Sequence, residues 1–424
     1  MNLIDIYPRV FLENKRQTLY LRLDGEGEAT IKLQPMEVYS IPHSIPCRLH
    51  EEQRYPYYPL ESIGDGVYSV EYDFPAGGRY TVRVKQGEDI FYQGYLYAVD
   101  TRLAELSPFK GETHCHSNRS DGVLYPAELM LRYLSAGFDF AALTDHHKYT
   151  PSLEVREVMQ KLTDVFTVFP GEEVHNKGYG YFHVVNFAGK SSVNDIIETD
   201  DEYVNSEIER IISEREFPAN VNPYTAAYRI FIAEHIEKAG GVSILAHPYW
   251  DAYGEYNMES RELEYLLSEE VFDALEIFAG NDQDGNGDNL EVALWGDLRA
   301  HGVNIPVVGA SDSHNPDGKT DRLNKNFSLV FARDIDEVPN AIQNGMSVAV
   351  KRRTDTDFFV VGEYSLVAYA RFLLREMYPT YAELTNRVAA EIKENKLTRT
   401  ENAISLEAEA KAFRRRFFAE GIKV

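Results

Sequence analysis

At 424 residues the chain has room for two or three domains, and 44% hydrophobic content is that of a globular protein rather than a disordered one. Acids outnumber bases 68 to 43 for a net charge of −25, and the dense basic runs are confined to "KRR" at 351–353 and "FRRRFF" at 413–418, which argues against nucleic acid as a partner. Two cysteines, Cys47 and Cys115, exclude a disulfide framework, no stretch reaches membrane-span length, and no secretory signal is evident, so a cytoplasmic location is expected.

Residues 1–105 read as strands: "QTLYLRLDG", "EATIKLQ", "GVYSVEYDF", "GRYTVRVKQG" and "DIFYQGYLYAV" alternate apolar and polar residues between Gly and Pro punctuation. The expectation is a small all-β, sandwich-like domain. Its tyrosines could form a ligand platform; half-buried strand positions in a packing or dimerisation domain are the preferred reading. From 106 to 355 short apolar runs alternate with helical stretches, the pattern of βα units around a parallel sheet, with a helical insertion at 191–240. Residues 356–424 read as helical.

Seven runs mark the α/β region: "FKGETH", "FAALTD", "FTVFPGEE", "YFHVVNFA", "VSILAH", "ALEIFAG" and "IPVVGASD". Six contain, end in or lead into residues that bind metal: His114, His116 and Asp121; Asp145 and His146; Glu172 and Glu173; His183; His247; Asp312 and His314. The sixth run has no obvious ligand, and only Asn281 follows it. In a parallel barrel the active site lies at the C-terminal strand ends, where these residues recur. His114 and His116 are two apart, so on a strand both point to one side while Cys115 faces the other; Asp312 and His314 repeat the spacing. A single such His is commonly a satisfied core residue, but six positions in seven units are a poor coincidence. Imidazole and carboxylate without thiolate suit Zn, Mn or Fe.

In this order, "THCHSNRSDG", "LTDHH", "PGEEV", "YFHVV", "GGVSILAHP" and "GASDSH" resemble the PHP (polymerase and histidinol phosphatase) family of metal-dependent phosphoesterases over roughly 108–350, and "GEEV" with "WGDLRAHGVNIPVVGASDSH" resembles its CehA/McbA-like branch. The resemblance implies a distorted seven-stranded (β/α)7 barrel holding two or three divalent ions. One ion would take His114, His116, Glu173 and Asp312; a second would share Glu173 and add His183 and His247; a third would use Asp121, His146 and His314. The family's Gly-x-Glu pattern selects Glu173 over Glu172.

The expected activity is hydrolysis of a small phosphate mono- or diester by a metal-bridging hydroxide. The alternative is a carbamate, ester or amide hydrolase using the same centre. A metal-stabilised scaffold is the reading from a different class, and the complete ligand motifs argue against it. A proofreading module would need a fused polymerase and basic DNA-binding surfaces, which are absent from the sequence. Asp145 and His247 are candidates for protonating the leaving group, and Asp145 also reads as a partner that orients a ligand or its loop. Arg119, between His116 and Asp121, either reaches a substrate oxygen or lies on the surface. His147 and His175 sit beside the motifs but outside the pattern, which suggests loop or supporting roles. His43, His50, His235 and His301 need no function. "DQDGNG" at 282–287 starts like an EF-hand loop but has Ala293 where Glu is required, so it reads as a loop rimming the barrel mouth. The β-domain and the C-terminal helices are the candidates for homo-oligomer contacts.

Overall fold

A computed structural model describes residues 2–36, 55–175, 177–178, 182–252, 254–279, 286–316 and 323–424. Cys47, His43, His50, Asn281 and most of the EF-hand-like stretch lie outside them. The chain forms two compact units: residues 1–107 with 371–381 and 409–424, and residues 108–370 with 382–408. The C-terminal helices Tyr364–Glu376, Tyr378–Glu394 and Glu401–Phe417 therefore divide between the units.

The first unit holds two sheets among the described residues. One runs in the order Leu3–Tyr7, Arg16–Leu23, Val67–Asp73, Glu61–Gly64; the other in the order Val10–Leu12, Asp89–Val99, Gly78–Gln86, Thr30–Pro35, Tyr58–Pro59. All pairs are antiparallel except Val10–Leu12 with Asp89–Val99. Alternation along Gly78–Gln86 buries Tyr80, Val82 and Val84. Tyr72 of one sheet meets Tyr58 and Tyr80 of the other, with ring centroids 5.7 and 6.4 Å apart. Several tyrosines of this unit are thus core side chains.

Seven strands correspond to the seven apolar runs: β1 (Ser107–Glu112), β2 (Phe140–Ala142), β3 (Gly171–Val174), β4 (His183–Phe187), β5 (Val242–Ala246), β6 (Ala274–Phe278) and β7 (Val307–Gly309). β1 pairs parallel with β2, β5 with β6, and β6 with β7. β4 is antiparallel to both β3 and β5. A uniformly parallel (β/α)7 order therefore does not describe these strands. The reason is the short connection from Val174 to His183, too short for a crossover helix, so the chain turns back as a hairpin. The reversal puts the first residue of β4, rather than its last, level with the C-terminal ends of its neighbours.

The run expected as one strand from 167 is split at Pro170: Thr167–Phe169 pairs parallel with β2, while β3 pairs with β4. Main-chain bonds join the strand ends: Glu173 N to Thr144 O at 3.1 Å, Thr144 N to Cys115 O at 2.9 Å, and Asp312 N to His114 O at 2.9 Å. The last links the end of β7 back to β1. Strands Asn326–Ala332, Ser347–Arg352 and Phe358–Val361, absent from the seven runs, extend the sheet beyond β1. Among the described residues no helix is long and apolar enough to cross a membrane.

Candidate functional site

The strand ends bring together Asp121, His114, His116, His146, Glu173, His183, His247, Asp312 and His314. Alternation beyond β1 turns His114 and His116 inward, while the buried Cys115 thiol donates to Ala142 O on the other side at 3.2 Å. His247 and Asp312 follow β5 and β7 with φ of 27° and 45°, a left-handed backbone costing about 1–3 kcal/mol each and found mostly where a side chain must be aimed.

Glu173 is the hub. Its Oε2 lies 3.3 Å from His114 Nε2, 3.3 Å from His116 Nε2 and 2.7 Å from His146 Nδ1. Its Oε1 lies 2.7 Å from His183 Nδ1 and 3.5 Å from His247 Nε2. Asp312 Oδ1 closes the first group, 3.0 Å from His116 Nε2 and 3.4 Å from His114 Nε2. The outer group gathers around Asp121 Oδ2, with His314 Nε2 at 3.3 Å and His146 Nε2 at 3.4 Å. His116 Nδ1 is 3.9 Å from Asp121 Oδ1, so the His116 ring stands between the groups.

Burial pushes Glu173 up, but the His183, His114 and His146 imidazoles outweigh it and hold the carboxyl well below the usual range. His114 and His116 act likewise on Asp312, so both carboxylates are ionised at neutral pH. Burial pushes His116 down to about 4, which leaves its ring neutral and able to ligate.

Whether these residues fit metal ions is tested by their hydrogen bonds. His114 Nε2, both His116 nitrogens, both Glu173 oxygens, His183 Nδ1 and His247 Nε2 are buried, and among the described residues none makes a hydrogen bond of proper geometry. A buried polar atom left without a partner costs about 1–3 kcal/mol, so such a concentration calls for a counter-charge or ligand. Divalent cations satisfy such lone pairs, and the ligand atoms fall into sets spanning no more than 4.8 Å: His114, His116 and Glu173; His114, His247 and Asp312; Glu173, His183 and His247; His116, Asp121, His146 and His314; and His146, Glu173 and His175. The donor chemistry fits divalent ions.

Several supporting residues were not singled out from the sequence. Glu276, buried within β6, places Oε2 3.0 Å from His114 Nδ1. The only signal was an acid inside an apolar run. Glu112 accepts from His114 N at 3.0 Å and Ser311 N at 3.1 Å, tying β1 to the end of β7; burial pushes its carboxyl up to about 8. Asn257 reaches His247 Nδ1 at 3.1 Å. Glu172 faces away, accepting from Asn186, Ser192, Val193 and Asn194.

Asp145 is not a member of the cluster. Its carboxylate accepts from Ser117 N, Ser117 Oγ and Ser120 Oγ at 2.7–2.8 Å, which holds the loop between His116 and Asp121. Arg119 points outward and pairs with Glu154 at 2.7 Å, both about half exposed. His235 bonds to the Phe231 carbonyl of its own helix, and His301 to the Asp297 carbonyl of the helix it follows.

Gly122 fixes the same loop. A Cβ there would lie 2.3 Å from His116 O and 2.6 Å from its carbonyl carbon, main-chain atoms that cannot swing aside. Gly122→Ala should displace the neighbouring Asp121 and weaken ion binding at the outer group by about 10–100-fold. Equilibrium dialysis against Zn²⁺ checks this, and unchanged affinity would refute the placement of Asp121.

No family model and no curated protein matches the chain. Among solved structures it is similar to a two-domain protein from Bacteroides vulgatus containing a predicted PHP-like metal-dependent phosphoesterase: 19% identity, 63% of this chain, 70% of that chain, TM-score 0.42. It is also similar to a protein from Bifidobacterium adolescentis assigned as a metal-dependent phosphoesterase (17%, 50%, 88%, TM-score 0.36). A third is an amidohydrolase from Chromobacterium violaceum (18%, 49%, 88%, TM-score 0.34). At those scores the function of this chain has to be read from its own residues.

Proposed function

We propose that the chain is a metal-dependent hydrolase of small esters, built on a distorted seven-stranded barrel of the PHP type. The observation that carries this reading is the convergence of seven buried nitrogen and oxygen atoms, none making a hydrogen bond of proper geometry among the described residues, on sets of which three share Glu173. A purely structural polar cluster satisfies its own atoms instead.

His114, His116, Glu173 and Asp312 would hold one ion, Glu173, His183 and His247 a second, and Asp121, His146 and His314 a third. When bound, such ions supply Lewis-acid polarisation of the scissile group and an acidified water. The protein's own part is aim and support. Glu276 orients His114 through Nδ1, Asn257 does so for His247, and Asp145 holds the loop that presents Asp121. His247 thus serves as a ligand, and Asp145 as a loop anchor.

The motif resemblance supports a phosphate ester as the substrate class. The placement of Arg119 favours the second reading, a carbamate, ester or amide: its guanidinium is paired with Glu154 instead of facing the centre. A panel of p-nitrophenyl phosphate, bis(p-nitrophenyl) phosphate and p-nitrophenyl acetate, assayed with Zn²⁺, Mn²⁺ or Fe²⁺, separates them. Turnover of the phosphates above the acetate is the expected result, and the reverse order replaces the first reading with the second. If no metal binds, both readings fall.

A further inference from the structure

We infer that His175 is a positioning residue for the outermost ion, acting through His146. The inference rests on the proposal that Asp121, His146 and His314 hold an ion, and adds a residue outside that ligand set.

A common arrangement runs through three histidines of the centre, His114, His247 and His314. Nε2 of His114 faces the cluster while Nδ1 meets Glu276 at 3.0 Å. Nε2 of His247 faces the cluster while Nδ1 meets Asn257 at 3.1 Å. Nε2 of His314 faces Asp121 while Nδ1 bonds to Asp312 O at 2.9 Å. Such a second bond fixes which nitrogen of a ligand imidazole carries the proton and how the ring is turned.

His146 has the same division. Its Nε2 faces Asp121, and its Nδ1 lies 2.7 Å from His175 Nε2. Glu173 Oε2 is equally close to that Nδ1, but both Glu173 oxygens are shared with four other imidazoles. Once Glu173 is engaged by ions, His175 is the acceptor left for the Nδ1 proton.

His175 is itself held for this task. Its N–H donates to Asn194 Oδ1 at 3.2 Å, and its carbonyl accepts from Tyr228 OH at 3.2 Å. Asn194 in turn donates to Glu172 and to Glu173 O, so the loop after β3 is tied to the strand that carries the hub. The ring packs between His147 and His183, with centroids 3.9 and 4.6 Å away. These contacts fix the position from which the ring reaches His146.

The test compares the full chain with His175→Ala and His175→Gln by equilibrium dialysis against Zn²⁺, with metal counted by plasma mass spectrometry and the melting temperature of each apo form recorded. The Gln amide oxygen can accept where Nε2 does; Ala cannot. His175→Ala should bind the outermost ion about 10–100-fold more weakly and keep the inner ions, while His175→Gln stays within a few-fold of the parent. Equal binding by all three overturns the inference. So does a loss in Gln as large as in Ala, which would mean that His175 ligates directly or only supports the fold. If the parent chain binds no Zn²⁺, the metal-centre reading itself fails, an outcome distinct from the other two.

Discussion

Replacing Glu173 by alanine is expected to strip the centre of its ions and to lower hydrolytic kcat/KM by at least about 10³-fold. Five imidazoles lie 2.7–3.5 Å from this one buried carboxylate. Glu173 also belongs to three of the five ligand sets. Asp312 reaches His114, His116, His247 and His314 at 3.0–4.0 Å but belongs to one of the five sets, so it does not replace a carboxylate that joins three. The variant leaves mutually facing rings around one remaining inner acid, and two dications there would repel without a shared anion between them. The activity estimate follows from the several kcal/mol that bound ions supply to such reactions, at about 1.4 kcal/mol per tenfold. Metal counted per chain and kcat/KM on the best substrate of the panel give the two readings. Full metal content with parental activity would end the hub assignment.

The strand ends were legible because metal chemistry needs particular side chains at particular places. Parity suggested that His114-x-His116 and Asp312-x-His314 lie on strands; all four instead stand just past the ends of β1 and β7, and the structure brings their side chains together. What could not be read was direction. His183 stands at the start of β4, and only the hairpin reversal brings it level with residues at the ends of other strands. The sequence shows the same run whichever way the strand points.

Glu276 escaped for another reason. Along β6 it looks like an interruption of an apolar run, and its value appears only once His114, 162 residues away, is 3.0 Å from it. Arg119 was ambiguous for the converse reason. Proximity to Asp121 in sequence says nothing of where a long side chain goes, and the acceptor it finds, Glu154, belongs to the helix Thr150–Leu162. Strands Asn326–Ala332 and Ser347–Arg352 carry no metal-binding motif, so a reading anchored on ligands passed over them.

Stripping the ions with a chelator should lower the melting temperature of the metal-bearing unit by roughly 10–20 °C, and in two steps. A ligand that binds only the folded state stabilises it by about 2.7 kcal/mol when present at a hundred times its Kd, and two such ions add about twice that. For a unit of this size each kcal/mol moves the midpoint by about 2–4 °C. The apo state is penalised as well, because among the described residues the seven buried atoms make no hydrogen bond of proper geometry. Exposure sets the order of loss. The Asp121 side chain is 54% exposed and His314 30%, against 1% for Glu173 and none for His114, so the outer ion leaves first and the inner ions resist longer. Scanning calorimetry across a chelator titration reads both effects, and a midpoint indifferent to the chelator would mean that the cluster is stable without metal.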